Sequence, residues 1–291
     1  MIKTVLKTLN NLKFTKMRKI QVTRFLLAIS FLFIGLQTMA QDTNVPSGES
    51  DAAKLAKETA NPLAAMISVP FQFNFNFGLG EYNRTQTLIN VMPAIPFRLN
   101  DKFNVLNRII LPVLIQPDVS EQSGSTFGLG SVNYSMFLTP ADAGKIIWGI
   151  GPAFNIPTRT NNLLGSPEFG IGPTLIVLTM PGNWALGLTV NNVWSYTNNN
   201  LNALFSQVFV VYTFPSAWFV QMMPTITANW NAEKGQKWSF PLGANMGKVV
   251  IFGKQPVKFI GGGSYYVLKP DAGPTWQLFA QVVLLFPKRK K

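Results

Sequence analysis

Phe71-Gln72-Phe73-Asn74-Phe75-Asn76-Phe77 alternates strictly between phenylalanine and an uncharged amide. Successive side chains of a β-strand point to opposite faces, so this segment presents phenylalanine on one face and hydrogen-bonding amide on the other. Two environments satisfy such a strand. In a soluble sandwich the phenylalanines would face a core; in a transmembrane barrel they would face lipid, with the amides in a wet interior.

Working outward, about twelve strand-like segments follow Pro62, near the lengths of roughly 9 to 11 residues that membrane strands need. They fall at 67–77, 85–99, 103–116, 126–138, 145–157, 169–180, 184–195, 204–213, 218–230, 237–250, 257–267 and 275–286. Tight turns at Asn100, Pro181 and Phe214 alternate with longer polar loops after Phe77, Gln116, Pro157 and Ser195. Outer-membrane barrels show this alternation of short periplasmic turns and longer external loops.

Parity assigns the faces. One face collects Phe71, Phe73, Phe75, Val91, Ile95, Phe97, Ile109, Leu111, Val113, Val132, Trp148, Leu186, Leu188 and Leu284. The opposite face supplies the candidate lumen-lining residues: Gln72, Asn74, Asn76, Asn90, Arg98, Arg108, Asn133, Asn155, Asn191, Gln221, Asn229, Gln277 and Gln281. A soluble sandwich studs its wet face with Lys and Glu, yet charged residues are 13% of this chain and sit mainly in turns and ends. Trp184, Trp194, Trp218, Trp230, Trp238, Tyr212 and Trp276 lie near strand ends, where aromatic girdles mark bilayer interfaces. These features predict an all-β fold, a transmembrane antiparallel up-and-down β-barrel of about twelve strands, with a hydrated interior rather than a core. Arg98 and Arg108 are expected to face each other across the Asn100 turn.

The ends of the chain read differently. Residues 1–40 hold seven Lys or Arg, no acid, and an apolar run from Phe25 to Leu36 before Thr38-Met39-Ala40. A basic stretch, a short apolar core and small residues predict a secretory signal peptide. Residues 41–62 form a leader with a short helix over Ser50 to Glu58, capped by Ser50 or Asp51 and ending near Asn61-Pro62. A periplasmic cap or a plug in the lumen suits it, and so does an incidental terminal helix. The barrel spans 63–287, and 288–291 is a basic tail.

Charge and composition narrow the chemistry. Without residues 1–40 the chain keeps 18 basic residues against 12 acidic, four of the basic ones in the tail, so the formal +13 gives no support for nucleic-acid binding. The absence of Cys removes disulfides and thiolate metal sites, and the absence of His removes the commonest general base and metal ligand. No enzyme, no metal and no cofactor is expected. Eight prolines, Pro70, Pro93, Pro96, Pro112, Pro152, Pro173, Pro224 and Pro241, fall inside predicted strands, where they require bulges or rim positions.

The segment from Asn61 to Asn76, with Pro93-Ala94-Ile95-Pro96-Phe97-Arg98-Leu99-Asn100, Arg108-Ile109-Ile110-Leu111-Pro112-Val113, Gly149-Ile150-Gly151-Pro152 and Gly170-Ile171-Gly172-Pro173-Thr174, resembles a bacterial family. It is similar to the transporter-type outer-membrane proteins related to the meta-pathway phenol-degradation barrels. The resemblance covers most of residues 51 to 287. It implies a barrel in the outer membrane of a Gram-negative bacterium, passing small hydrophobic or aromatic solutes passively, with the strand prolines shared. It implies no catalytic residues. The alternative is a closed structural or surface-binding barrel without a conducting path. Outer-membrane lipid and the outer-membrane assembly machinery are the expected partners, the latter because the final strand, Trp276 to Phe286, ends in an aromatic residue after alternating apolar positions.

Overall fold

A computed structural model describes residues 50–142, 144–197 and 200–287. The expected signal peptide, the first part of the leader and the basic tail lie outside the described residues. Helix α1 (Asp51–Glu58) is followed by β1 (Ile67–Leu79), β2 (Arg84–Val91), β3 (Ala94–Arg98), β4 (Phe103–Pro117), β5 (Ser125–Leu129), β6 (Val132–Pro140) and β7 (Ile146–Ile156). Then come β8 (Gly170–Thr179), β9 (Trp184–Trp194), β10 (Asn202–Thr213), β11 (Trp218–Met222), β12 (Thr225–Asn229), β13 (Trp238–Phe252), β14 (Gln255–Leu268) and β15 (Trp276–Phe286).

Strand neighbours in sequence pair antiparallel, and β15 returns to pair with β1 from Ile67↔Phe286 to Phe77↔Trp276, which closes the wall. Three staves are each broken in two, β2/β3 at Met92-Pro93, β5/β6 at Gly130-Ser131 and β11/β12 at Met223-Pro224. The fifteen strands therefore make the twelve expected staves. Closure removes the free edges that would otherwise expose unpaired backbone groups, which is what a wall surrounded by hydrocarbon requires.

Several of the prolines explain their own irregularities. Pro93 and Pro224 sit at stave breaks, and Pro241 marks a register shift between β13 and β14. Pro152 and Pro173 lie directly opposite each other in the β7/β8 ladder, inside the twin Gly-Ile-Gly-Pro segments. Neither can donate a hydrogen bond, and the regular pairing lapses on both outer seams: β6/β7 skips from Ser135↔Ala153 to Leu138↔Ile150, and β8/β9 from Ile171↔Trp194 to Thr174↔Asn191. The adjacent glycines let the neighbouring strands close in. A Cβ on Gly151 would lie 1.9 Å from the Met136 carbonyl oxygen, and one on Gly172 would lie 1.7 Å from that of Asn192.

Six connections at one end, 80–83, 118–124, 157–169, 195–201, 230–237 and 269–275, are mostly longer than the five at the other, of which 253–254 is the shortest. The outer wall between the ends is apolar and unpartnered. Ile146, Trp148, Ile150, Leu175, Val177, Leu186 and Leu188 are all exposed on β7–β9. Aromatic contacts ring both ends: Trp184, Tyr212 and Phe214 at the short-turn end, and Phe77 with Trp276 (centroids 4.1 Å apart) and Trp230 with Trp238 at the long-loop end. An apolar belt between two aromatic girdles is the outside of a transmembrane barrel.

Inside, the chain before β1 folds into the barrel. Ser50 Oγ caps α1 by accepting from the Ala53 amide at 3.2 Å, Asp51 and Lys57 complement the dipole ends, and the 8-residue helix is still too short to stand alone in water. Docking holds it. Ala53, Leu55, Ala56 and Met66 bury against Ala217, Val249, Val283 and Leu285; Ala60 joins Ala185, Val211, Phe219 and Ile260; Leu63 joins Leu106, Phe137, Ile176, Leu178 and Phe209. Each large side chain so buried contributes roughly 2 kcal/mol. The sequence left plug and incidental helix open; the helix and the turns after it form a floor across the short-turn end, where Lys57 Nζ lies 3.5 Å from Asn183 Oδ1.

Candidate functional site

Above this floor lies a cavity of about 490 Å³. Its wall comes from β1–β4 and β10–β15, and its base from Thr59, Ala60, Asn61, Pro62, Ala64 and Met66. It reaches Asn76 and Gln277, close to the long-loop end of their strands. Strands β5–β9 contribute nothing to it. Their inward side chains are packed instead: Ser135, Phe137, Thr139, Ala153, Thr174, Ile176, Leu178, Thr189, Asn191 and Val193 are all buried. The expectation of a hydrated interior throughout is therefore corrected. One half is wet and amide-lined, and the other is a core built from small and apolar residues with a few short polar ones.

The thirteen candidates divide along this line. Gln72, Asn74, Asn76, Asn90, Arg108, Gln221, Gln277 and Gln281 line the cavity. Asn191 is buried in the packed half, while Asn133 accepts from Ser135 Oγ at 3.4 Å and Asn155 donates to the Glu168 carbonyl at 2.8 Å. Asn229 is exposed beside the 230–237 loop and accepts from the Asn231 amide. Arg98 does not face Arg108. The register sets Ala94 opposite Arg108 and Arg98 opposite Asn104, and Arg98 lies exposed at the turn, 2.6 Å from Asp101. Alternation gives the face of a residue but not its height along the barrel.

The amides bind one another. Gln281 donates to Gln72 and Gln72 to Asn74, while Gln277 donates to Asn76, Asn76 to Gln86 and Gln86 to Gln116. Tyr266 Oη and Ser264 Oγ join at 3.4 Å from Asn76 and Gln277. Such a network satisfies buried amides and fixes their orientation along β15, β1, β2 and β4.

Sequence reasoning missed Lys258. It is 7% exposed on β14, with Nζ 3.5 Å from the Thr59 carbonyl oxygen of the floor and 4.4 Å from the Phe219 ring centroid. Its inward parity on the strand was the available signal. Arg108 is the second cavity cation, 5.9 Å from the Phe205 ring centroid. No Asp or Glu lines the cavity. Among the described residues no three of His, Cys, Asp and Glu group as metal ligands.

Outside the wall, the 118–124 loop is organised by Arg84, which donates to the carbonyls of Asp118, Glu121 and Gly124 at 3.2, 2.7 and 2.8 Å. Ser120 donates to Asp118 Oδ1 from its hydroxyl at 2.7 Å and its amide at 3.0 Å. These bonds, helped by the Arg84 charge, hold the Asp118 carboxyl below the ordinary carboxylate range.

No protein-family model and no curated protein matches the sequence. Among solved structures, the chain is similar to an outer membrane channel from Pseudomonas putida F1, at 15% identity and TM-score 0.57, over 84% of this chain and 100% of that one. The CymD monoaromatic hydrocarbon channel gives 9% identity and TM-score 0.43 over 84% of this chain and 95% of that one. Outer membrane phospholipase A from Escherichia coli gives 13% and 0.42 over 76% and 92%. The first establishes a shared barrel fold.

Proposed function

We propose that the chain is an outer-membrane barrel that passes small solutes passively across the outer membrane of a Gram-negative bacterium. The observation that carries the reading is the cavity of about 490 Å³ inside a closed wall, lined by amides on the long-loop side and floored by residues 59–66. A cavity of this size suits a small organic molecule. The lipid-facing belt and girdles set the barrel in a bilayer, and the shared fold with an outer membrane channel supports the same role. The resemblance to the phenol-degradation barrels favours aromatic or other hydrophobic solutes. The alternating final strand supports handling by the outer-membrane assembly machinery. The chemistry is non-enzymatic, because the cavity offers amides, hydroxyls and two cations but neither histidine nor carboxylate.

A second reading, a closed structural barrel, has its own observation: α1 and the turns after it fill the short-turn end and anchor in three apolar clusters. Purified protein in planar bilayers separates the two. Reproducible unit conductance supports transport; its absence across reconstitutions that retain the folded, heat-modifiable form on gels supports the closed barrel.

A further inference from the structure

We infer that Arg108 anchors the carboxylate of a small organic anion with an apolar body, so that the solute class of this cavity is acidic rather than plain hydrocarbon. The inference deepens the transport reading and rests on it for its physiological meaning.

Arg108 carries five N–H donors and a permanent charge, yet its guanidinium makes no hydrogen bond or ion pair to any described residue and lies over the Phe205 ring. It lines the cavity together with Lys258, and with no carboxylate among the lining residues the two cations go uncompensated. Inside a low-dielectric wall, two such charges create a field that favours an anion and leave a guanidinium fork shaped for a carboxylate. Lys258 is already held by the floor carbonyl of Thr59 and by Phe219, so it supplies field while Arg108 has donors to spare. The surroundings define the rest of the molecule. Met92, Ala94, Ile110, Phe205 and Phe209 share the cavity wall with Arg108, an apolar seat for a ring or short chain. Gln72, Asn74, Asn76 and Gln277 above it, though bonded to one another, present polar atoms to the cavity, so a pure hydrocarbon would displace water from them and return no hydrogen bond.

The test uses the full-length protein in detergent, each variant checked for heat-dependent gel mobility. Calorimetric titration at neutral pH compares benzoate with benzyl alcohol, which is close in size and uncharged. The expected result is about tenfold tighter binding of benzoate, a preference lost in Arg108→Gln and partly kept in Arg108→Lys, with Lys258→Gln the milder change. Equal affinity for the two probes overturns the inference, as does a preference that survives Arg108→Gln. Planar-bilayer conductance is read on the same preparations. A non-conducting barrel that still selects benzoate through Arg108 sinks transport and keeps the site, whereas a conducting barrel indifferent to charge sinks the site alone.

Discussion

The two halves of the barrel solve the interior in opposite ways. On β10–β15 and β1–β4 the inward positions carry Gln, Asn, Thr and two cations around a cavity; on β6–β9 they carry Gly, Ala, Ser and Thr with Phe137, Ile176 and Leu178, packed shut. The outer faces do not share this difference, since lipid makes the same demand all round. What separates the halves is side-chain volume inside. In the packed half Gly151-Pro152 and Gly172-Pro173 also loosen the ladder and admit a neighbouring carbonyl, a close approach that Gly243 on the cavity wall makes to Gly263 as well.

That contrast can be broken by substitution. The largest effect is expected for Gly172→Ala: a Cβ 1.7 Å from the Asn192 carbonyl oxygen forces the two strands apart, costing about 3 kcal/mol, whereas Asn74→Ala on the wet side costs about 1 kcal/mol for its bonds with Leu88 and Gln72. Urea unfolding in lipid vesicles measures both, and equal costs would erase the distinction. Next, Leu63→Asp places a carboxylate among Leu106, Phe137, Ile176, Leu178 and Phe209, loosening the floor by about 2 kcal/mol. Bilayer conductance should then rise while the folded gel band persists; unchanged current would mean that the floor does not limit passage.

A smaller pair probes polarity directly. The Thr189 hydroxyl is buried without a partner in the packed half, so Thr189→Val should stabilise by about 1 kcal/mol. Thr225 accepts from Gln207 at 3.2 Å beside the cavity, and Thr225→Val should lose up to about 1 kcal/mol. Opposite signs sharpen the comparison, and like signs remove it. The smallest effect lies outside both halves, at Asp118. Because its folded pKa is depressed, the order that its ionised carboxyl lends the 118–124 loop is complete above the ordinary carboxylate range and fades as pH falls through the lowered value. Ser120→Ala should move the midpoint up, read by carbon NMR of the carboxyl, with little change in overall stability at this exposed site.

Much of the wall was legible. Alternation at Phe71–Phe77 and turn residues at Asn100, Pro181 and Phe214 placed all twelve staves, because lipid outside enforces a period of two wherever the chain crosses. Depth was not legible. Arg98 and Arg108 share a parity, but one ends a strand in water and the other sits on the cavity wall. Nor does parity tell a wet inward position from a packed one: Asn74 and Asn191 read alike, and their fates follow from the volume of residues on other strands. The floor was legible only as one of two readings, because an alanine-rich helix of 8 residues carries little signal of the surface it will meet.

That floor also dictates an order of events in assembly. The residues that receive Ala53, Leu55 and Met66 include Val283 and Leu285, which belong to the last strand, and Lys258 meets Thr59 across 199 positions of chain. No complete seat exists for the helix and the turns after it until the last strand has been laid down. Seating is therefore a late, slow contact of high sequence separation, and the filled floor is a mark that the barrel has closed.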